Sequence, residues 1–174
     1  MMFIKNDKVA LRIAEPHDAD NIYRWENDME VWRDSETRVP LSLFQIERFL
    51  LSNNDLESNK QLRLIIEDAY NGVSVGCIDI YDYDEFNSRA GFGILIDKDF
   101  RKKGFAKSAI TLLMDYCFKT LLINQIYALV LASNSESLHL FESIGFERCG
   151  HKKQWYKTAD GYIDQIEYQY INKK

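Results

Sequence analysis

The spacing of apolar positions changes several times along this chain, and each change marks an element. Val9 to Ala14 alternates as a short strand. Pro16 then stands where a first helical turn tolerates a missing N–H, and a helix is predicted from about His17 to Asn27. Val31, Trp32 and Arg33 lead into an irregular stretch up to Pro40, which reads as a loop beside a cleft. Ser42 with Gln45 three residues later has the form of a capping box, and Leu43, Phe44, Phe49 and Leu50 carry a second helix to about Ser52. Asn53 to Lys60 is a polar linker. Leu62 to Glu67 and Val73 to Tyr81 read as strands joined at Asn71-Gly72, a strong hairpin signal, and Ala90 to Ile96 as a third strand.

The pattern then shifts to helical spacing, with Phe105, Ala109, Leu112, Leu113 and Tyr116 on one face of a helix that ends near Leu121. Ile126 to Leu131 is almost continuously apolar, which predicts a strand covered on both faces. Leu138, Leu140, Phe141 and Ile144 form a short helix stopped by Gly145. Two strands follow, Glu147 to Lys157 and Tyr162 to Ile171, joined across Asp160-Gly161. The order β-α-α-β-β-β-α-β-α-β-β is mixed α/β in a single domain spanning residues 1–174.

Between the third sheet strand and the long helix lies Asp97-Lys98-Asp99-Phe100-Arg101-Lys102-Lys103-Gly104-Phe105-Ala106-Lys107. The first amides of a helix have no intrahelical acceptor and sit at the positive end of its dipole. Placed beside Arg101, Lys102, Lys103 and Lys107, such a start suits a phosphate or pyrophosphate. Gly104 permits a positive φ and lets a ligand approach without meeting a Cβ.

Charge and composition narrow the partners. The formal charge of -5 argues against nonspecific nucleic-acid binding and favours a neutral or cationic small partner. No signal segment and no apolar run approaching about 20 residues appears, so a membrane span lacks support and a cytoplasmic location is expected. Cys77, Cys117 and Cys149 are odd in number and far apart, which predicts buried free thiols with neither a disulfide framework nor a metal site. His17, His139 and His151 are isolated and read as surface or capping residues, and Tyr156, Tyr162, Tyr168 and Tyr170 as sheet packing.

Arg101-x-x-Gly104-x-Ala106, after an apolar strand and before an amphipathic helix, resembles the acyl-CoA loop of the GNAT superfamily of N-acetyltransferases. Asn134-x-x-Ser137-x-x-x-Phe141-x-x-x-Gly145-Phe146 resembles that family's second cofactor segment, at the expected distance after the first. Trp25-Glu26-Asn27-Asp28, the run from Ile78 to Asp84 and the C-terminal stretch through Trp155 and Gly161 to Ile171 resemble the branch of ribosomal-protein N-terminal and spermidine acetyltransferases. The resemblance implies a GNAT fold: a twisted, mostly antiparallel sheet of about seven strands flanked by helices, with a splay between the fourth and fifth strands. It implies acetyl-CoA as cosubstrate and transfer to a primary amine, which could belong to a protein N-terminus, a polyamine or another small molecule. It implies that Ile94, Leu95 and Ile96 bind the pantetheine arm, that the Arg101 to Lys107 turn binds the pyrophosphate, and that Asn134 and Ser137 complete the cofactor site. A monomer or homodimer is expected.

The amine must lose a proton, because a lysine-like amine is neutral in only on the order of one molecule in a thousand at pH 7. The strand Glu that relatives often use falls here at Gly91, and the Tyr they place on the last helix falls at Phe141. Asp79 is therefore the first candidate base, expected to be desolvated among apolar neighbours, and Asp82 the second. Trp25, Asn27, Trp32 and Tyr81 are the candidate acceptor contacts. A non-catalytic acyl-CoA sensor is the alternative that the missing Glu and Tyr leave open.

Overall fold

The computed structural model describes residues 2–33, 35 and 37–173. Asp34 and Glu36, within the expected loop up to Pro40, lie outside the described residues. The strands are β1 (Met2–Lys5), β2 (Val9–Ile13), β3 (Leu62–Asp68), β4 (Ser74–Asp84), β5 (Arg89–Ile96), β6 (Gln125–Leu131), β7 (Glu147–Thr158) and β8 (Gly161–Ile171). The helices are α1 (Ala19–Glu26), α2 (Met29–Arg33), α3 (Leu43–Ser52), α4 (Phe105–Lys119) and α5 (Ser135–Ile144). This is the expected mixed α/β architecture, with an eighth strand because Met2–Lys5 adds to one edge.

The sheet order is β1-β2-β3-β4-β5-β6-β8-β7, antiparallel except between β5 and β6. That parallel pair keeps only three rungs, Arg89–Gln125, Ala90–Ile126 and Gly91–Tyr127. Past Gly91 the strands part, while β6 stays paired with β8 from Gln125 to Leu131 and β5 stays paired with β4. The expected splay is present between those two strands, the fifth and sixth once β1 is counted.

Strand alternation divides the core into two layers. Leu64, Ile66, Ile78, Ile80, Phe92, Ile126 and Ala128 face α4, which contributes Phe105, Ala109, Ile110, Leu113 and Cys117. The stripe is rotated slightly from the predicted one, since Leu112 and Tyr116 are half-buried at its margin. On the opposite face Ile65, Cys77 and Leu95 pack against Ala19, Ile22 and Trp25 of α1 and Ile46 and Leu50 of α3. This second layer lies over β3 to β5, so on that side of β6 Tyr127 and Leu129 are only half-buried, while Leu131 at its end is buried. The apolar run from Ile126 is therefore fully covered on one side and only partly on the other.

Local signals behave as their chemistry dictates. The Ser42 hydroxyl accepts from the Gln45 amide and the Gln45 side chain accepts from the Ser42 amide, which completes the capping box. Cys77 and Cys117 are buried, and burial pushes the Cys117 thiol up to about 12, leaving it inert. Cys149 departs from the expectation: it is exposed, because β7 is an edge strand with one face in water.

Near the start of α1, Asp18 is buried and held by Arg12 at 2.6 Å to each carboxylate oxygen. Burial alone would raise this carboxyl, but the Arg12 hydrogen bonds and the Glu15 amide hold it below its ordinary value. Its contribution to stability is thus complete above about pH 4 and is lost as pH falls through the lower folded value. Urea midpoints measured from pH 5 to pH 2.5 should fall for the wild type, with a shallower fall in Asp18→Asn. Equal slopes would place the acid sensitivity elsewhere.

Candidate active site

The Asp97 to Lys107 segment turns from β5 into α4 through a short 3-10 turn at Lys98–Phe100. Asp97 anchors the start of this turn. Its buried carboxylate accepts from Trp25 Nε1 at 2.8 Å and from the Asp99 amide at 3.1 Å, and Arg24 lies at 3.0 Å. Burial opposes its charge, yet these donors outweigh burial and keep the carboxyl below its usual range. Trp25 is accordingly a core side chain, 3 % exposed, that fixes the loop. It is not an acceptor contact, because its one polar atom is spent on Asp97.

The loop itself uses left-handed backbone at Lys102 (φ 60°) and Gly104 (φ 81°), with Gly104 as the N-cap of α4. An ideal Cβ on Gly104 would lie 3.3 Å from Lys8 Cε, so the glycine serves the backbone conformation first. The basic side chains are already organised. Arg101 Nε donates to the Ile96 carbonyl at 3.2 Å, Lys103 Nζ donates to the Asp99 carbonyl at 2.8 Å, and Lys102 pairs with Glu136 of α5 at 3.3 Å.

A cleft of about 640 Å³ runs from this turn along the open edge of β5. It is lined by every expected cofactor residue except Lys103: Ile94, Leu95, Ile96, Arg101, Lys102, Gly104, Phe105, Ala106, Lys107, Asn134 and Ser137. Asn134 caps α5 through Oδ1, which accepts from the Ser137 amide at 2.9 Å. His139, expected to be a bland surface residue, also lines the cleft.

At the other end the cleft reaches Glu26, Arg63, Cys77 and Asp79. Arg63 stands directly opposite Asp79 in the β3–β4 ladder and donates to it twice, from Nε and Nη2 at 2.8 Å each. Its Nη1 lies 2.7 Å from Glu26 at the end of α1. Asp79 is therefore an ion-paired carboxylate and not the isolated, desolvated base expected. Two carboxylates on one guanidinium leave this end of the cleft with a net charge of -1, suited to holding a cation. Sequence reasoning missed Arg63 and Glu26. Ala19, Ile22 and Trp25 mark the buried stripe of α1, which places Glu26 on its flank.

The remaining expected acceptor contacts lie elsewhere. Asn27 joins two segments, exchanging hydrogen bonds with the Leu41 backbone at 2.9 Å each. Trp32 donates to the Glu26 carbonyl at 2.6 Å. Neither lines the cleft; Glu26, Val31 and Ser35 do so from that region. The Tyr81 ring lies across Gly91, where a Cβ would sit 2.2 Å from it, so the missing strand Glu has no room here. Phe141 is 3 % exposed and packs against Phe146 and Tyr168, well inside the core. Asp82 is exposed at a bulge in β4 and accepts from Tyr127 Oη at 3.0 Å.

Comparison with known proteins agrees with this geometry. Residues 8–147 match the family model described as an acetyltransferase (GNAT) domain. Spermidine N(1)-acetyltransferase of Vibrio cholerae serotype O1 is 27 % identical over 176 residues, covering 97 % of this chain and 98 % of that one. The ribosomal protein bS18-alanine N-acetyltransferase of Salmonella typhimurium is 32 % identical over 75 residues, 43 % of this chain and 50 % of its own. The crystal structure of the Vibrio cholerae spermidine N-acetyltransferase with CoA and spermine superposes with a TM-score of 0.86 at 26 % identity, covering 95 % of this chain and 96 % of that one. With the splayed sheet, the glycine turn at a helix start and a family match over most of its length, this chain belongs to the GNAT acetyltransferase family and is an acetyl-CoA-dependent N-acetyltransferase.

Proposed function

We propose that acetyl-CoA lies along the Ile94 to Ile96 edge of β5 with its pyrophosphate at the Arg101 to Lys107 turn, and that the acceptor is a cationic amine, a polyamine first among candidates, held by Glu26 and Asp79. The observation that carries this reading is the continuity of one cleft. It runs from the phosphate-binding turn, across the unpaired edge of β5, to a carboxylate–guanidinium–carboxylate cluster. The pantetheine amides can pair with β5 as an added strand because β6 has moved away beyond Gly91. Asn134 faces the same arm, with its side-chain amide N–H groups available to a carbonyl. Holding the amine against the thioester supplies much of the rate through positioning alone.

Asp79 is already engaged by two donor atoms of Arg63, so on this reading it serves to hold the ammonium and not to remove its proton. Among the described residues no helix is long and apolar enough to cross a membrane.

An amine panel assayed by CoA-thiol release, with products weighed by mass spectrometry, tests the acceptor. Spermidine should be acetylated, and Glu26→Gln should raise its KM roughly tenfold while the KM for acetyl-CoA stays unchanged, consistent with about 1–2 kcal/mol for a charge-assisted contact. Efficient turnover of anionic or neutral amines in preference to spermidine would overturn the acceptor assignment.

A further inference from the structure

Tyr127 stands on the last rung before β5 and β6 part, directly beside Gly91 and on the face that also carries Asp79 and Tyr81. Its hydroxyl donates to Asp82 Oδ2 at 3.0 Å. Strict alternation would send Asp82 to the α4 face with Ile78 and Ile80. Instead the β4–β5 register shifts between Tyr81 and Asp84, and Asp82 takes a left-handed backbone (φ 48°), which re-aims its carboxylate to the Tyr127 side. The bulge thus delivers a solvent-exposed carboxylate to a half-buried phenol at the crotch of the splay.

This pair adjoins the acceptor end of the cleft. Tyr81 meets Tyr127 edge-on, with ring centroids 5.7 Å apart. At Gly93, the next residue on this face of β5, an ideal Cβ would lie 3.8 Å from the Tyr81 ring and 3.9 Å from the Asp79 carboxylate. Only a glycine-high floor separates Asp79 from the tyrosines. The groups facing Tyr127 are Asp82 and Tyr81 from β4, Arg89 from β5, and Glu167 and Gln169 from β8. Arg89 is itself held by Asp84 at 3.2 Å. Burial and the Asp82 hydrogen bond push the Tyr127 phenol well above its ordinary value, so it passes a proton on only as it receives one.

We propose that Tyr127 and Asp82 are the proton exit of the transfer reaction, an inference that rests on the acceptor placement above. The acceptor ammonium gives one proton to Tyr127 Oη, directly or through one water, as the phenol proton moves to Asp82 Oδ2. Asp82 then releases that proton to solvent. The neutral amine attacks the thioester carbon, the C–N bond forms as the C–S bond breaks, and the second amine proton goes through solvent to the CoA thiolate. The products are amide, thiol and one released proton. In this chain the proton path runs through β4 and β6, where Gly91 leaves β5 without a carboxylate.

The test is the pH–rate profile for spermidine with wild type, Tyr127→Phe, Asp82→Asn and the double variant. Tyr127→Phe keeps the ring packing and removes one oxygen. Each single variant should lose roughly 100-fold in kcat/KM near pH 7 and recover most of it above about pH 9.5, where solution supplies neutral amine. The double variant should be no slower than the slower single, because the two groups act as one unit. The melting shift produced by CoA should be unchanged in all three. A wild-type profile in Tyr127→Phe, or losses that multiply in the double variant, overturns the proton exit alone. A wild type that binds CoA but acetylates no cationic amine overturns the acceptor placement together with it.

Discussion

Saturating CoA should raise the melting temperature of this protein by roughly 5–10 °C. Ligand at about 100 times its dissociation constant contributes roughly 2.7 kcal/mol, and a domain of this size gains about 2–4 °C per kcal/mol. Gly104→Val should remove most of that shift, measured against the variant's own ligand-free melting temperature. The reason is conformational: Gly104 sits at φ 81°, which a β-branched residue adopts only under strain, and its conformation sets the first turn of α4. Because an added Cβ would point at the flexible Lys8 side chain, Gly104→Ala should show an intermediate loss, set by φ more than by crowding. Arg101→Ala should reduce the shift less than Gly104→Val, since Arg101 is turned back onto the Ile96 carbonyl and backbone amides hold the phosphates. Added salt should weaken the shift only in part, as exposed charges are screened while close amide hydrogen bonds persist. An equal shift in wild type and Gly104→Val would reduce the turn to a basic surface loop.

The parts of this site that could be read from the sequence are those whose chemistry is local. The Arg101 to Lys107 turn and the Asn134 to Phe146 segment each place their functional atoms within about ten residues, and both line the cleft. Ala90 to Ile96 and Ile126 to Leu131 are legible as strands, but the splay between them is implied only by the family resemblance, since where they part depends on pairing. The acceptor end is not legible, because it depends on register and on helix rotation. Arg63 meets Asp79 only through the β3–β4 pairing, and meets Glu26 only through the way α1 lies on the sheet. Trp25 and Trp32 have the size and amphipathic character of substrate contacts, yet both spend their indole N–H inside the protein. β1 and α2 are not legible in the sequence, because four and five residues carry too little periodicity. The charge of Asp82 is visible in the sequence, but its partner is set by a bulge that alternation does not foresee.

The second large effect concerns Arg63. Its side chain is 18 % exposed, against 26 % for Asp79 and 14 % for Glu26, so all three charges are largely removed from water. Arg63→Met should destabilise the fold by about 3–5 kcal/mol, because it leaves two carboxylates facing each other without their cation. At about 2–4 °C per kcal/mol the melting temperature should fall by roughly 6–20 °C. Arg63→Lys should recover only part of this loss, since one ammonium cannot reproduce the paired donation to Asp79 and the third contact to Glu26, nor the stacking on Phe49 at 5.7 Å. Adding Asp79→Asn to Arg63→Met should restore stability relative to Arg63→Met alone, as the double variant removes one of the two stranded charges. CoA should still raise the melting temperature of Arg63→Met, since the phosphate-binding turn lies at the far end of the cleft. Spermidine turnover in that variant should nevertheless fall, as the ammonium would meet a rearranged pair of carboxylates. A loss below about 1 kcal/mol would mean that water screens the cluster as it screens surface pairs, and the cleft floor would then be too wet to select a cation by charge.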